Sequence, residues 1–255
     1  MVSIPLAIYN WYKIALLYDL KNHLILLLLE LKDIEKIALL AKNIRIMNNK
    51  FPQLPDQAPH RGSKLSRQIF KRLYLSQGWR FEGEFPNLPK AVAIISPHTS
   101  NYDGLYAFLA MLGLGIKVTI FGKDTLFKTP LKGLFKWMGV IPVQRDSPHG
   151  LTQQIINKIH QEDKIWVAMA PEGTRKNADH IRSGFYHIAL GAHIPIVMFA
   201  FDYDHKVIRC IGILEPTGDY DADLEKILAT YQGQFSPKNM QRLAKPLKAL
   251  LDKDH

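Results

Sequence analysis

From position 79 onward, strand-like runs alternate with segments whose apolar residues recur at helical spacing. Ala91–Ile95, Lys117–Phe121, Val140–Val143, Ile165–Ala170, Pro195–Phe201 and Val207–Leu214 each have the length and composition of one strand. Between them, Tyr102–Leu112, Thr125–Met138 (interrupted by Pro130), His149–Gln161 and Phe185–Leu190 read as helices. The chain is helical again from Asp221 and ends basic, with Lys245, Lys248 and Lys253. This alternation predicts an α/β domain over residues 79–255, with a largely parallel central sheet flanked by helices.

The first 78 residues follow another pattern. Leu27, Leu31, Ile34, Ala38, Ala41 and Ile44 step by three and four, and Glu30, Lys32, Asp33, Glu35, Lys36 and Lys42 fill the opposite side. Residues 1–50 therefore read as an N-terminal helical extension. Its aromatic start, with Trp11, Tyr12 and Tyr18, suits either a membrane surface or packing against protein. Residues 51–78 hold a linker marked by Pro52, Pro55 and Pro59, then a helix from the cap Ser63 to Ser76, ended by Gly78. Leu65, Ile69 and Leu73 form the apolar stripe of that helix; Lys64, Arg67, Lys71 and Arg72 make it basic. Such a helix suits an anionic bilayer or a solvated face.

Charge narrows the partners. The 255 residues carry a formal net charge of +10, which suits phosphorylated ligands, an anionic membrane surface or nucleic acid. Nucleic acid finds no recognition motif here. The single cysteine, Cys210, excludes a disulfide framework and a cysteine-rich metal site, and sits in an apolar run as a small core residue. The apolar run Leu24–Leu29 falls far short of the roughly 20 residues a membrane span needs. No basic start followed by an apolar run and a small-residue cleavage site is present. These features predict an intracellular protein without a transmembrane span, in contact with membrane through its surface alone.

In a parallel sheet, ligands bind beyond the carboxyl ends of the strands. Three such ends carry polar groups. The first holds His98 and Asp103, the second Gln144-Arg145-Asp146, the third Pro171-Glu172-Gly173-Thr174-Arg175-Lys176. His98 and Asp103 lie five positions apart, which on one continuous helix points them well apart. A turn after the strand, with a helix starting near Asn101, brings them together as a general base held by a carboxylate. The other reading of the pair is a loop histidine beside a helix-capping aspartate. Two arginines at one sheet edge suit a phosphate, with Gly173 allowing close backbone approach and Thr174 offering a hydroxyl.

His98-Thr-Ser-Asn-Tyr-Asp103 resembles the HxxxxD motif of the glycerolipid acyltransferases, the family that contains 1-acylglycerol-3-phosphate acyltransferase. Gly122–Phe127 and Gly139–Arg145 are similar to its second block, Pro171–Arg175 to its PEGTR block, and Ile194–Val197 to its fourth. The similarity covers roughly residues 79–215. It implies His98 as general base and Asp103 as its orienting partner. It implies that Arg145, Glu172, Gly173, Thr174 and Arg175 bind the acceptor phosphate or shape its pocket. Pro195 and Lys123 would belong to the acyl and acceptor pocket.

The resemblance further implies transfer of an acyl group from an acyl-CoA or acyl-acyl carrier protein to the hydroxyl of a lysophospholipid. The leading acceptor is 1-acylglycerol-3-phosphate, giving phosphatidic acid on the cytoplasmic face of the cell membrane. No bound cofactor or metal is implied. The chain departs from the family pattern at Lys176, Met198 and Gln144, so another hydroxylated lipid stays open as acceptor. A non-catalytic lipid-binding module on the same fold is the alternative from another class.

Overall fold

Seven strands and the helices between them form three layers, with the sheet in the middle. A computed structural model describes residues 51–123, 127, 128, 130, 132–143 and 150–252, without the side chains of Lys123, Leu134 and Val143. The expected helical extension over residues 1–50 and the site residue Arg145 lie outside the described residues.

The chain runs α1 (Lys64–Ser76), β1 (Arg80–Glu82), β2 (Lys90–Ser96), α2 (Asn101–Leu114), β3 (Val118–Lys123), α3 (Lys132–Met138) and β4 (Val140–Val143). It continues α4 (Gly150–Gln161), β5 (Ile165–Met169), α5 (Gly184–Ala192), β6 (Ile196–Asp202), β7 (Val207–Leu214), α6 (Tyr220–Tyr231) and α7 (Lys245–Leu251). The sheet order is β1-β7-β6-β2-β5-β3-β4. Every neighbouring pair is parallel except β6–β7. The sheet is therefore largely parallel, as the alternation predicts, with β1 a short strand that the apolar pattern does not flag.

The strands are apolar on both faces because both are covered. Ala91 and Ala93 of β2 join Trp166, Ala168, Val197, Phe199 and Phe201 in the core beneath α1 and α2. Val92 and Ile94 point the other way, to Val167, Ile196 and Met198 and the helices α4 to α7. The small β2 alanines are matched by large neighbours: Phe81, Phe85, Trp166 and Phe199 form a linked set of ring contacts there. Residues 51–62, read as a linker, pack on this side too, with Phe51 and Ala58 buried.

Helix α1 is capped by Ser63, whose Oγ accepts the Ser66 N–H at 3.2 Å. Tyr74 is fully buried and its hydroxyl donates to the Arg80 carbonyl at 3.0 Å. Phe70 and Leu75 are partly buried on the same core. At Gly113 a Cβ would lie 3.0 Å from the Lys71 backbone, so α1 and α2 approach as closely as they do because this residue has no side chain. The consequence is that the apolar stripe of α1 is not the packed face. Leu65, Ile69 and Leu73 are 67%, 46% and 45% exposed. Among the described residues, no helix is long and apolar enough to cross a membrane.

Candidate functional site

β2 hands over to α2 through Pro97–Ser100, and the helix cap does two jobs at once. Ser100 is the N-cap, its Oγ accepting the Tyr102 N–H at 3.2 Å. Asp103, at the third helical position, reaches back to accept the Ser100 N–H at 2.7 Å, closing a capping box. The same Oδ2 accepts the Thr99 N–H at 2.7 Å and lies 3.2 Å from His98 Nδ1. A capping aspartate and a histidine's carboxylate partner are thus one residue here. Five positions suffice because the chain turns between them.

Burial separates the partners. The Asp103 side chain is 1% exposed and the His98 side chain 29%. A carboxylate away from water, held by backbone N–H groups, fixes the imidazole's orientation. With Nδ1 against Asp103, Nε2 is the ring nitrogen left to meet a ligand.

The loop after β5 supports this turn from the other side. Glu172 Oε1 accepts Ser96 Oγ–H at 2.5 Å and the His98 N–H at 3.0 Å. Glu172 is 2% exposed, and its Oε2 has no hydrogen-bond partner among the described residues. Burial raises its pKa above the usual carboxylate value, against the opposing pull of Ser96 and the His98 N–H. Its carboxyl therefore braces the pocket wall and does not reach out toward an anion.

His98, Gly173, Thr174 and Arg175 line one cleft of about 730 Å³, within the usual range for a small-molecule site. Arg182 lines it as well. Gly173 has φ +63°, and a Cβ there would lie 2.5 Å from Arg182 Cδ, so the glycine leaves room for that side chain to cross. Both arginines are exposed. Phe121, Leu151, Ile155, Phe185 and Ile188 give the same cleft an apolar lining. The lining thus offers groups suited to an anion and groups suited to a hydrocarbon chain.

Two expected pocket residues stand differently. The Lys123 main chain ends β3 at the same sheet edge, but its side chain lies outside the described residues. Pro195 does not belong to the cleft. It precedes β6, which runs parallel to β2 with Ile196 opposite Val92 and Ala200 opposite Ser96. Parallel register puts strand starts on the edge away from strand ends, and five residues at about 3.3 Å each separate them by roughly 16 Å.

Sequence reasoning missed three contributors. Ser96 holds Glu172, and Arg182 enters the cleft from outside the PEGTR block. The third, Tyr203, follows β6, and its hydroxyl donates to Asp103 Oδ1. A polar residue just past the end of the strand beside β2 was the available signal for Tyr203.

The fold and cleft define an α/β domain with a carboxylate-held imidazole at the edge of a cleft lined by arginines and apolar side chains. Residues 80–202 match the family model described as Acyltransferase. A 1-acyl-sn-glycerol-3-phosphate acyltransferase from Limnanthes alba is 28% identical over 126 residues, covering 47% of this chain and 44% of the relative. The same enzyme name and figures apply to a relative from Limnanthes douglasii. The matched stretch thus spans less than half the length of these curated relatives. The crystal structure of a 1-acyl-sn-glycerophosphate acyltransferase from Thermotoga maritima is similar with TM-score 0.46 and 15% identity, over 64% of this chain and 73% of that one. Over residues 80–202, a little under half of its length, the chain is similar to the acyltransferase family.

Proposed function

We propose that this protein transfers a fatty acyl group from an acyl thioester to the free hydroxyl of a lysophospholipid, 1-acylglycerol-3-phosphate giving phosphatidic acid. The observation that carries the reading is His98 Nδ1 3.2 Å from buried Asp103, in a cleft lined by two arginines and by apolar side chains. The acceptor name is supported by the curated relatives.

His98 takes the proton of the acceptor hydroxyl as that oxygen attacks the thioester carbonyl. The tetrahedral adduct collapses by breaking the carbon–sulfur bond, and the thiol of coenzyme A or acyl carrier protein leaves with the proton. The thioester is already activated, so no acyl-enzyme is needed. Positioned base catalysis of this kind contributes about 100- to 10,000-fold. Arg175 and Arg182 hold the acceptor phosphate, and the Leu151–Ile155–Phe185–Ile188 wall takes a chain.

The test is mass spectrometry of products after incubating the full chain with acyl-CoA and acyl-acyl carrier protein and a panel of lysolipids. Phosphatidic acid from lysophosphatidic acid is expected. Turnover confined to acceptors without a phosphate would sink the assignment of the arginines. Acyl-donor binding with no turnover on any acceptor would favour the lipid-binding module.

The same reading puts the protein on the cytoplasmic face of the membrane as a peripheral protein. The support is α1, whose exposed Leu65, Ile69 and Leu73 are flanked by exposed Lys64 and Arg72. An apolar stripe with basic flanks matches an anionic bilayer surface. Ile69→Asp with Leu73→Asp should weaken sedimentation with phosphatidylglycerol vesicles. Unchanged sedimentation would remove α1 from the contact.

A further inference from the structure

We propose that Tyr203 is a positioning residue for the His98–Asp103 pair, holding the buried carboxylate so that Oδ2 faces the imidazole and drawing off part of its charge. The inference rests on the reading of His98 as the base. Asp103 has two oxygens with separate duties. Oδ2 accepts the Thr99 and Ser100 N–H groups and faces His98. Oδ1 takes the Tyr203 hydroxyl. Without that donor, Oδ1 would be a carboxylate oxygen in a residue only 1% exposed, and a buried acceptor left unpaired is costly.

Tyr203 is placed for this by the fold. β6 lies beside β2 and parallel to it, so the residue after Asp202 arrives at the same sheet edge as His98. Its main-chain N–H donates to the Ser236 carbonyl at 3.2 Å. Its ring meets Trp79 edge-on at 5.0 Å and stacks on Phe201 at 5.9 Å. Lys238 Nζ lies 5.6 Å from its ring centroid. The ring is fixed by its neighbours, and the hydroxyl alone touches Asp103. Burial, and then the bond to Asp103, push the phenol's pKa well above its usual value, so it remains a donor across the working pH range.

The charged and titratable groups around the pair are few among the described residues. Glu172 accepts the His98 N–H, and Arg175 and Arg182 line the cleft. Lys238 faces the Tyr102 and Tyr203 rings, and Tyr106 packs against Tyr203. Tyr203→Phe alters none of them. It removes one donor from Asp103 and leaves more carboxylate charge facing His98. That favours the imidazolium form and withdraws the base at low pH.

The experiment compares wild type with Tyr203→Phe by two readouts. In NMR titration, with His98 assigned by its loss in His98→Gln, the His98 midpoint should lie higher in Tyr203→Phe than in wild type. In acyl-transfer assays, kcat should fall about 10-fold and the acid limb of the pH profile should move up, with KM for the acceptor little changed. Loss of thermal stability with the midpoint and acid limb in place would mean a purely structural role, and overturns the proposal. An unchanged midpoint overturns it even if the wild type acylates nothing in the panel. That last result would refute the proposed reaction separately.

Discussion

Asp103 and Asp223 are both buried carboxylates, and both accept a tyrosine hydroxyl and a backbone N–H. Asp103 takes Tyr203, Thr99 and Ser100; Asp223 takes Tyr186 at 2.9 Å, the Thr217 N–H at 2.7 Å and the Thr217 hydroxyl at 2.8 Å. The difference is the remaining neighbour. Asp223 Oδ1 meets Lys226 Nζ at 3.0 Å, on the next turn of its own helix, while Thr217 and Tyr186 tie α6 to the turn before it and to α5. Its pKa falls well below the usual range because those donors together outweigh the opposing effect of burial. Asp103 instead faces an imidazole that opens on a cleft. A saturated buried carboxylate locks structure; one with a titratable, half-exposed partner has something left to do. Glu172 is the third case, with one oxygen bonded and the other without a hydrogen-bond partner among the described residues, and its pKa moves up.

The comparison breaks first at His98. His98→Ala should lower kcat by about 100- to 10,000-fold in a thiol-release assay. Retention of more than a tenth of the activity would reduce Asp103 to a helix cap. Next come the paired variants. Asp223→Asn should cost about 2–3 kcal/mol in urea unfolding while leaving activity per folded molecule intact. Asp103→Asn should keep most of its stability and lose activity. If the two variants behave alike, the distinction is void.

Arg175→Ala should raise the acceptor KM about 10-fold with little change in kcat, the mark of lost ground-state binding. The smallest effect concerns Asp202, a structural carboxylate at the same sheet edge as Asp103. Burial raises its pKa, but hydrogen bonds from Arg209, Ser236 and His205 outweigh it and hold it at about 2. The folded value lies below the unfolded one of about 3.9. Its contribution to stability is therefore present above pH 4 and lost as pH falls toward 2. Thermal unfolding across that window should show the decline in wild type, and Asp202→Asn should lack that increment.

How much of this was legible depends on the range of the interaction concerned. The run Ala91–Ile95 announces β2 because its residues are apolar on both faces, and Ser63 and Gly78 bracket α1 as cap and stop. His98, Asp103 and Arg175 were legible as strand-end groups at a spacing that a turn can close. Pro195 was misplaced because a motif carries no information about which sheet edge it occupies. Parallel register decided that, by setting Ile196 opposite Val92. The outward stripe of α1 was visible as a pattern, but its exposure followed from Phe70, Tyr74 and Leu75 winning the contact with the core.

Periods of two and 3.6 residues are local, so the amino-acid sequence by itself determined the strands after β1, the helices between them and the turn that joins His98 to Asp103. Tyr203 stands 100 residues from Asp103, and Glu172 74 residues from His98. Only the tertiary structure decided those contacts, because adjacency of β6 and β5 to β2 is a property of sheet order. A buried carboxylate takes whatever donor the neighbouring strand ends supply.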